Sequence, residues 1–125
     1  MNIYESAEDY LETILMLCEE HGFARSVDIA AHLNVTKPSV SFAMKKLREN
    51  GYIVMGDDNR ITLTESGAVI AGRILERHKM LTGFLIRLGV SEQTARADAC
   101  KIEHDLSDET FDAIKRHFQA HQETK

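Results

Sequence analysis

The strongest constraint on the fold lies between Ser26 and Thr64, where the spacing of apolar residues switches from helical to alternating. After Ser26, a candidate cap, Ile29, Ala30 and Leu33 recur at helical spacing and predict a short helix. Asn34-Val-Thr36 makes a turn. Pro38 then falls in the first turn of another helix, where its missing N–H costs nothing. Val40, Ala43, Met44 and Leu47 follow at i, i+3, i+4 and i+7, and Asn50-Gly51 ends the run. Tyr52-Ile-Val-Met55 alternates into a polar tip, Gly56-Asp-Asp-Asn-Arg60, and Ile61-Thr-Leu-Thr64 returns, which predicts a β-hairpin. Short helix, turn, helix and hairpin in that order describe a winged helix-turn-helix. In that fold the second helix of the motif enters the DNA major groove and the hairpin lies near the flanking backbone.

The flanking segments are helical. Ser6 is a candidate cap for a first helix to about Glu20, carrying Tyr10, Ile14, Leu15 and Leu17 and closed by Gly22. Thr64 is read as the cap of a long helix through Leu88, Ser91 as the cap of one through about Leu106, and Ser107 as the start of a last one. No internal repeat or Pro/Gly/Ser-rich linker interrupts the chain. The expected fold class is therefore mostly α, with a winged helix-turn-helix over residues 1–70 and an all-helical domain over residues 71–125.

Composition sets the class of partner. No basic segment followed by an apolar run opens the chain, and no apolar stretch is long enough for a bilayer, so a cytoplasmic protein without a membrane partner is expected. Cys18 and Cys100 are too few for a disulfide framework. The net charge of -5 looks unsuited to DNA, but it is unevenly spread. Residues 1–23 hold six acids and no Lys or Arg, whereas residues 24–60 hold six bases against four acids. The basic part coincides with the helix-turn-helix, as phosphate contact requires.

Cys100, Glu103 and His104 stand at i, i+3 and i+4, so a thiol, a carboxylate and an imidazole meet on one helix face. Those groups suit a divalent transition metal. The plain alternative is a small apolar residue beside a solvated pair. Asp9 and Glu12 share a face of the first helix, where acids also simply complement the helix dipole. His78 falls on the side of Ile70, Ile74, Leu81 and Leu85, where a core histidine is the usual finding. Three such clusters in one small helical chain favour a single metal-binding pocket built from all six residues. A Cys100/His104 nucleophile pair lacks an orienting third group and a substrate loop, so neither an enzyme nor a small-molecule substrate is expected.

Ala7-Glu-Asp-Tyr-Leu-Glu-Thr13, Val27-Asp-Ile-Ala30, Lys37-Pro-Ser-Val-Ser41, Ile61-Thr-Leu-Thr-Glu-Ser-Gly67, Glu76-Arg-His78 and Cys100-Lys-Ile-Glu-His104 together resemble the diphtheria-toxin-repressor family of metal-dependent regulators. The likeness is strongest to its short manganese-transport-regulator branch, since the chain ends too early for the SH3-like domain that longer members append. It implies metal ligands at Asp9, Glu12, His78, Cys100, Glu103 and His104, a homodimer built by the C-terminal helices, and Mn(II) or Fe(II) as the activating metal. Manganese sensors of the family usually carry Glu where Cys100 stands. Iron sensors carry Cys there but Met where Asp9 stands, so this chain is a hybrid.

The expected function is a metal-activated repressor of metal-uptake genes that binds operator DNA, with metal bridging the first helix to the fourth and fifth. Thr36, Ser39, Ser41 and Phe42 are its candidate base-reading residues, with Lys37, Lys45, Lys46, Arg25 and Arg60 for phosphates. Phe42 replaces a polar residue common in relatives and suits a thymine methyl. Two competing readings are a winged-helix regulator gated by an organic ligand or by cysteine oxidation, and a metal-buffering or interaction domain without DNA binding.

Overall fold

A computed structural model of the protein describes residues 5–123. It contains α1 (Glu5–His21), α2 (Ser26–Leu33), α3 (Lys37–Glu49), β1 (Ile53–Met55), β2 (Ile61–Leu63), α4 (Glu65–Arg87), α5 (Glu92–Ile102) and α6 (Asp108–Glu123). Two compact units divide between Arg73 and Ile74, within α4. Among the described residues no helix is long and apolar enough to cross a membrane.

The first unit is built on the buried face of each helix. Leu11 and Ile14 of α1, Ile29 of α2, and Val40, Met44 and Leu47 of α3 form one core with Ile53 and Ile61 of the sheet. β1 and β2 pair antiparallel, with Ile53 opposite Leu63 and Met55 opposite Ile61, so the two buried isoleucines face the same side. Ala24 extends the sheet by an isolated antiparallel bridge to Ile61.

Among the described residues, helix starts follow local side chains with one exception, at α2. Thr36 caps α3, its Oγ1 accepting from the Ser39 N–H at 3.2 Å, and Pro38 sits in the first turn as expected. Thr64 Oγ1 accepts from the Gly67 N–H at 3.1 Å at the start of α4 and donates to the Gly51 carbonyl at 2.6 Å. Ser26, expected as a cap, is instead the first residue of α2. Arg25 holds the cap position in extended conformation without a side-chain hydrogen bond. α1 begins at Glu5, ahead of Ser6, whose side chain lies outside the described residues.

Gly67 is required by contact rather than by backbone angle. A Cβ there would stand 2.0 Å from the Tyr52 carbonyl oxygen, a backbone atom that cannot swing aside. Gly67→Ala is therefore expected to destabilise the protein by about 1–3 kcal/mol, the usual range for overpacking. A shift of the urea midpoint checks it; a wild-type midpoint would mean that strand and helix separate freely at this point.

In the second unit, Leu81 of α4, Ala95 and Ala99 of α5, and Phe111 and Phe118 of α6 are buried. The Phe84 and Phe118 rings meet edge to face at 6.2 Å. α5 stops at Ile102, four residues before the expected end at Leu106. The cause is tertiary. Arg77, a buried residue of α4, donates from Nη1 to the carbonyls of Glu103 (3.2 Å) and Leu106 (3.0 Å). Its Nη2 pairs with the Asp108 carboxylate at the start of α6. The chain turns there because one guanidinium satisfies carbonyls that further helix would have used.

Candidate metal centre and nucleic-acid interface

The α5 C-terminus carries the candidate ligands. Cys100 lies in its last turn, and the cap residue Glu103 keeps right-handed helical angles (φ -58, ψ -26), so the face predicted from the spacing survives the early end of the helix. Glu103 is 1% exposed. Its Oε2 lies 3.1 Å from His78 Nδ1, and its Oε1 lies 3.5 Å from His104 Nε2. That second oxygen is buried and accepts no hydrogen bond. One donor atom each from Cys100, Glu103 and His104 falls within a mutual 4.8 Å, and Glu103 and His78 lie equally close. Burying a carboxyl oxygen without a donor is costly unless a cation meets it. A sulfur, a carboxylate and two imidazoles around such an oxygen fit a divalent transition metal.

Asp9 and Glu12 belong to the first unit, three residues apart on α1. Glu12 is buried and Asp9 half-buried. Burial separates Glu12 from an ordinary solvated acid that merely complements a helix dipole, since a buried carboxylate requires compensation. Cys18 is a different kind of thiol. It packs at the edge of the first core, 3.8 Å from the Ile61 carbonyl oxygen, and burial pushes its thiol up from the ordinary value. That disfavours the reactive thiolate.

The candidate DNA residues are all on the solvent side of the first unit. Thr36, Lys37, Ser39, Ser41, Phe42, Lys45 and Lys46 are exposed on or beside α3, opposite its buried Val40, Met44 and Leu47. Thr36 and Ser39 are already engaged with each other, since Thr36 Oγ1 also donates to Ser39 Oγ at 2.8 Å. Phe42 is 66% exposed, and the Lys46 ammonium stands 5.4 Å from its ring centroid. Arg25 and Arg60 both lie over the ring of Phe23. Sequence reasoning passed over Phe23 and Arg77. Phe23 had no periodic signal, and Arg77 sat inside a recognisable motif with no role attached.

Comparison with known proteins covers both units. Residues 2–59 match the iron-dependent repressor N-terminal DNA-binding domain, and residues 64–124 match the iron-dependent repressor metal-binding and dimerisation domain. The transcriptional regulator MntR of Escherichia coli O6:H1 is 42% identical over 117 residues, covering 94% of this chain and 76% of that protein. The crystal structure of T. acidophilum IdeR superposes with a TM-score of 0.82 at 29% identity, over 90% of this chain and 53% of that one. A manganese-dependent transcriptional repressor in complex with manganese gives a TM-score of 0.79 at 28% identity, over 90% of this chain and 52% of that one. The chain thus spans about half the length of these two solved proteins.

Proposed function

Because the chain belongs to the iron-dependent repressor family, and so to metal-dependent transcriptional regulators rather than enzymes, we propose that it is a homodimeric, cytoplasmic repressor of metal-uptake genes activated by Mn(II) or Fe(II). Residues 1–70 serve as the winged helix-turn-helix and residues 71–125 as the metal-binding and dimerisation domain. The observation that carries the reading is the buried, donorless Oε1 of Glu103 beside His104, in the unit that follows the helix-turn-helix.

In this reading His78, Cys100, Glu103 and His104 hold the metal, with Asp9 and Glu12 of α1 as the remaining ligands that the family likeness implies. A divalent cation held there would meet the negative charge of the carboxylate and thiolate donors. Glu103 orients His78 through Oε2 and keeps Oε1 for the metal. The fixed spacing of two recognition helices, about one DNA turn in dimers of this kind, is what binding sets. Lys37, Lys45 and Lys46 grip phosphates, while Thr36, Ser39, Ser41 and Phe42 lie nearest the bases.

The hybrid ligand set makes the order of metals informative. Asp9 supplies a hard oxygen that favours Mn(II), and a Cys100 thiolate favours a later, softer ion such as Fe(II). The test uses a duplex selected from a random library by the Mn(II)-loaded protein. Binding is titrated anaerobically with Mn(II), Fe(II), Co(II) and Zn(II) at fixed ionic strength, with chelator controls. Fixed salt matters because the phosphate contribution depends steeply on it. Tight binding with metal and weak binding in chelator is expected. Equal affinity in both conditions would remove metal activation from the reading.

A further inference from the structure

The antiparallel bridge between Ala24 and Ile61 is closed by two hydrogen bonds, Ala24 N–H to Ile61 O at 2.9 Å and Ile61 N–H to Ala24 O at 2.7 Å. In that register Arg25 faces Arg60, and like charges directly opposed across strands ordinarily destabilise a sheet. Both arginines share one aromatic ring. The Arg25 and Arg60 guanidinium carbons stand 5.2 Å and 4.2 Å from the Phe23 ring centroid. An aromatic face attracts cations, so Phe23 draws together two groups that would otherwise part.

One carboxylate completes the cluster. Arg60 Nε donates to Asp58 Oδ2 at 2.8 Å, and the Arg60 backbone N–H donates to Asp58 Oδ1 at 3.2 Å. Asp58 is carried there by the hairpin tip, where Asn59 takes a left-handed φ of 64 and its N–H bonds the Gly56 carbonyl. Two guanidinium groups against one carboxylate leave the cluster positive. Arg25, Asp58 and Arg60 are all exposed, so an outside anion has access.

We infer that Arg25 and Arg60, gathered on Phe23, grip a single DNA phosphate, and that Asp58 occupies the Arg60 side of this grip when DNA is absent. The inference rests on the DNA-binding reading above and assigns roles to Phe23 and Asp58. Phe23 is a positioning residue, and Asp58 is an internal competitor whose carboxylate gives way to the phosphate. A guanidinium fork accepts either anion with the same geometry.

The test is the salt dependence of binding to a short random-sequence duplex by the full chain in saturating Mn(II). Arg25→Ala and Arg60→Ala are each expected to lower the log–log salt slope by about 0.9, the value for one phosphate, and the double variant by no more than either alone. Asp58→Asn is expected to bind about two- to fivefold more tightly, the measured scale of an exposed ion pair. Phe23→Leu should weaken binding by about two- to fivefold, and Phe23→Trp should restore it, because indole is the better cation platform. Slope losses that add in the double variant, or wild-type affinity in both Asp58→Asn and Phe23→Leu, would overturn the shared grip. Should Phe23→Leu fail to fold, the arginine double variant and Asp58→Asn still decide. Absence of duplex binding by the wild-type protein in Mn(II) would instead overturn the DNA-binding reading, and this inference with it.

Discussion

A Glu103→Gln variant is expected to lose metal-dependent DNA binding while remaining folded. The substitution keeps side-chain volume in a site that is 1% exposed, so the packing around it changes little. It removes the anionic oxygen that lies 3.5 Å from His104 Nε2 and accepts no hydrogen bond, and it weakens the orienting contact to His78 Nδ1. Changes to residues that only orient a ligand already cost about 10–100-fold in metal affinity, so the loss here should reach roughly 100-fold or more. Calorimetric titration with Mn(II) measures it. Thermal melting provides the second readout, because a ligand that binds only the folded state raises the melting temperature. The metal-free variant should melt close to the wild type, and its metal-induced rise should vanish. Wild-type Mn(II) affinity in this variant would show that Glu103 is not a ligand.

Arg77→Met should be the most damaging single change outside the apolar cores. Methionine fills the space of the arginine stem but leaves the Glu103 and Leu106 carbonyls without their donor. A hydrogen bond to a charged group contributes about 1.5–3 kcal/mol, so loss of the two carbonyl contacts should cost about 3 kcal/mol. The Asp108 contact adds little, since that side chain is 80% exposed and water replaces the guanidinium there. Urea unfolding of the metal-free protein reads the stability loss. Metal affinity should fall as well, because the same guanidinium fixes the backbone on which Glu103 and His104 stand. Arg77→Lys should recover only part of either effect, having a charge but no fork. An unchanged urea midpoint in Arg77→Met would mean that the turn between α5 and α6 holds itself.

The parts legible in the sequence were those fixed by near neighbours. Thr64, Ser91 and Ser107 each accept from the N–H three residues on, and all three starts were readable from residue type. The alternation of Ile53 to Met55 and Ile61 to Leu63 gave the hairpin for the same reason. The end of α5 was not legible, because its cause is an arginine from another helix. Nor was the cap of α2, where no side chain closes the first turn and the Ala24 bridge fixes the approach of the chain. At the candidate metal centre, the spacing of Cys100, Glu103 and His104 carried the triplet, since a short run of residues defines it. That Glu103 also reaches His78 is a relation between helices, which the sequence carried only as candidate ligands gathered in one pocket and through the family likeness. Phe23 had no local signature: its partners Arg25 and Arg60 converge only after the strands pair.

The division of α3 into a buried edge and an open one has an evolutionary consequence. Val40, Met44 and Leu47 anchor the helix, while Ser41, Phe42, Lys45 and Lys46 point away from the core. Exchanges at such open positions usually change stability by less than about 0.5 kcal/mol. On the proposed function, descendants of this chain can therefore drift in the sequence they read without passing through an unfolded ancestor. Thr36 and Ser39 are held back from that drift, because their mutual hydrogen bonds also start the helix. Variation among such descendants should thus concentrate in the middle of α3 and spare its first turn.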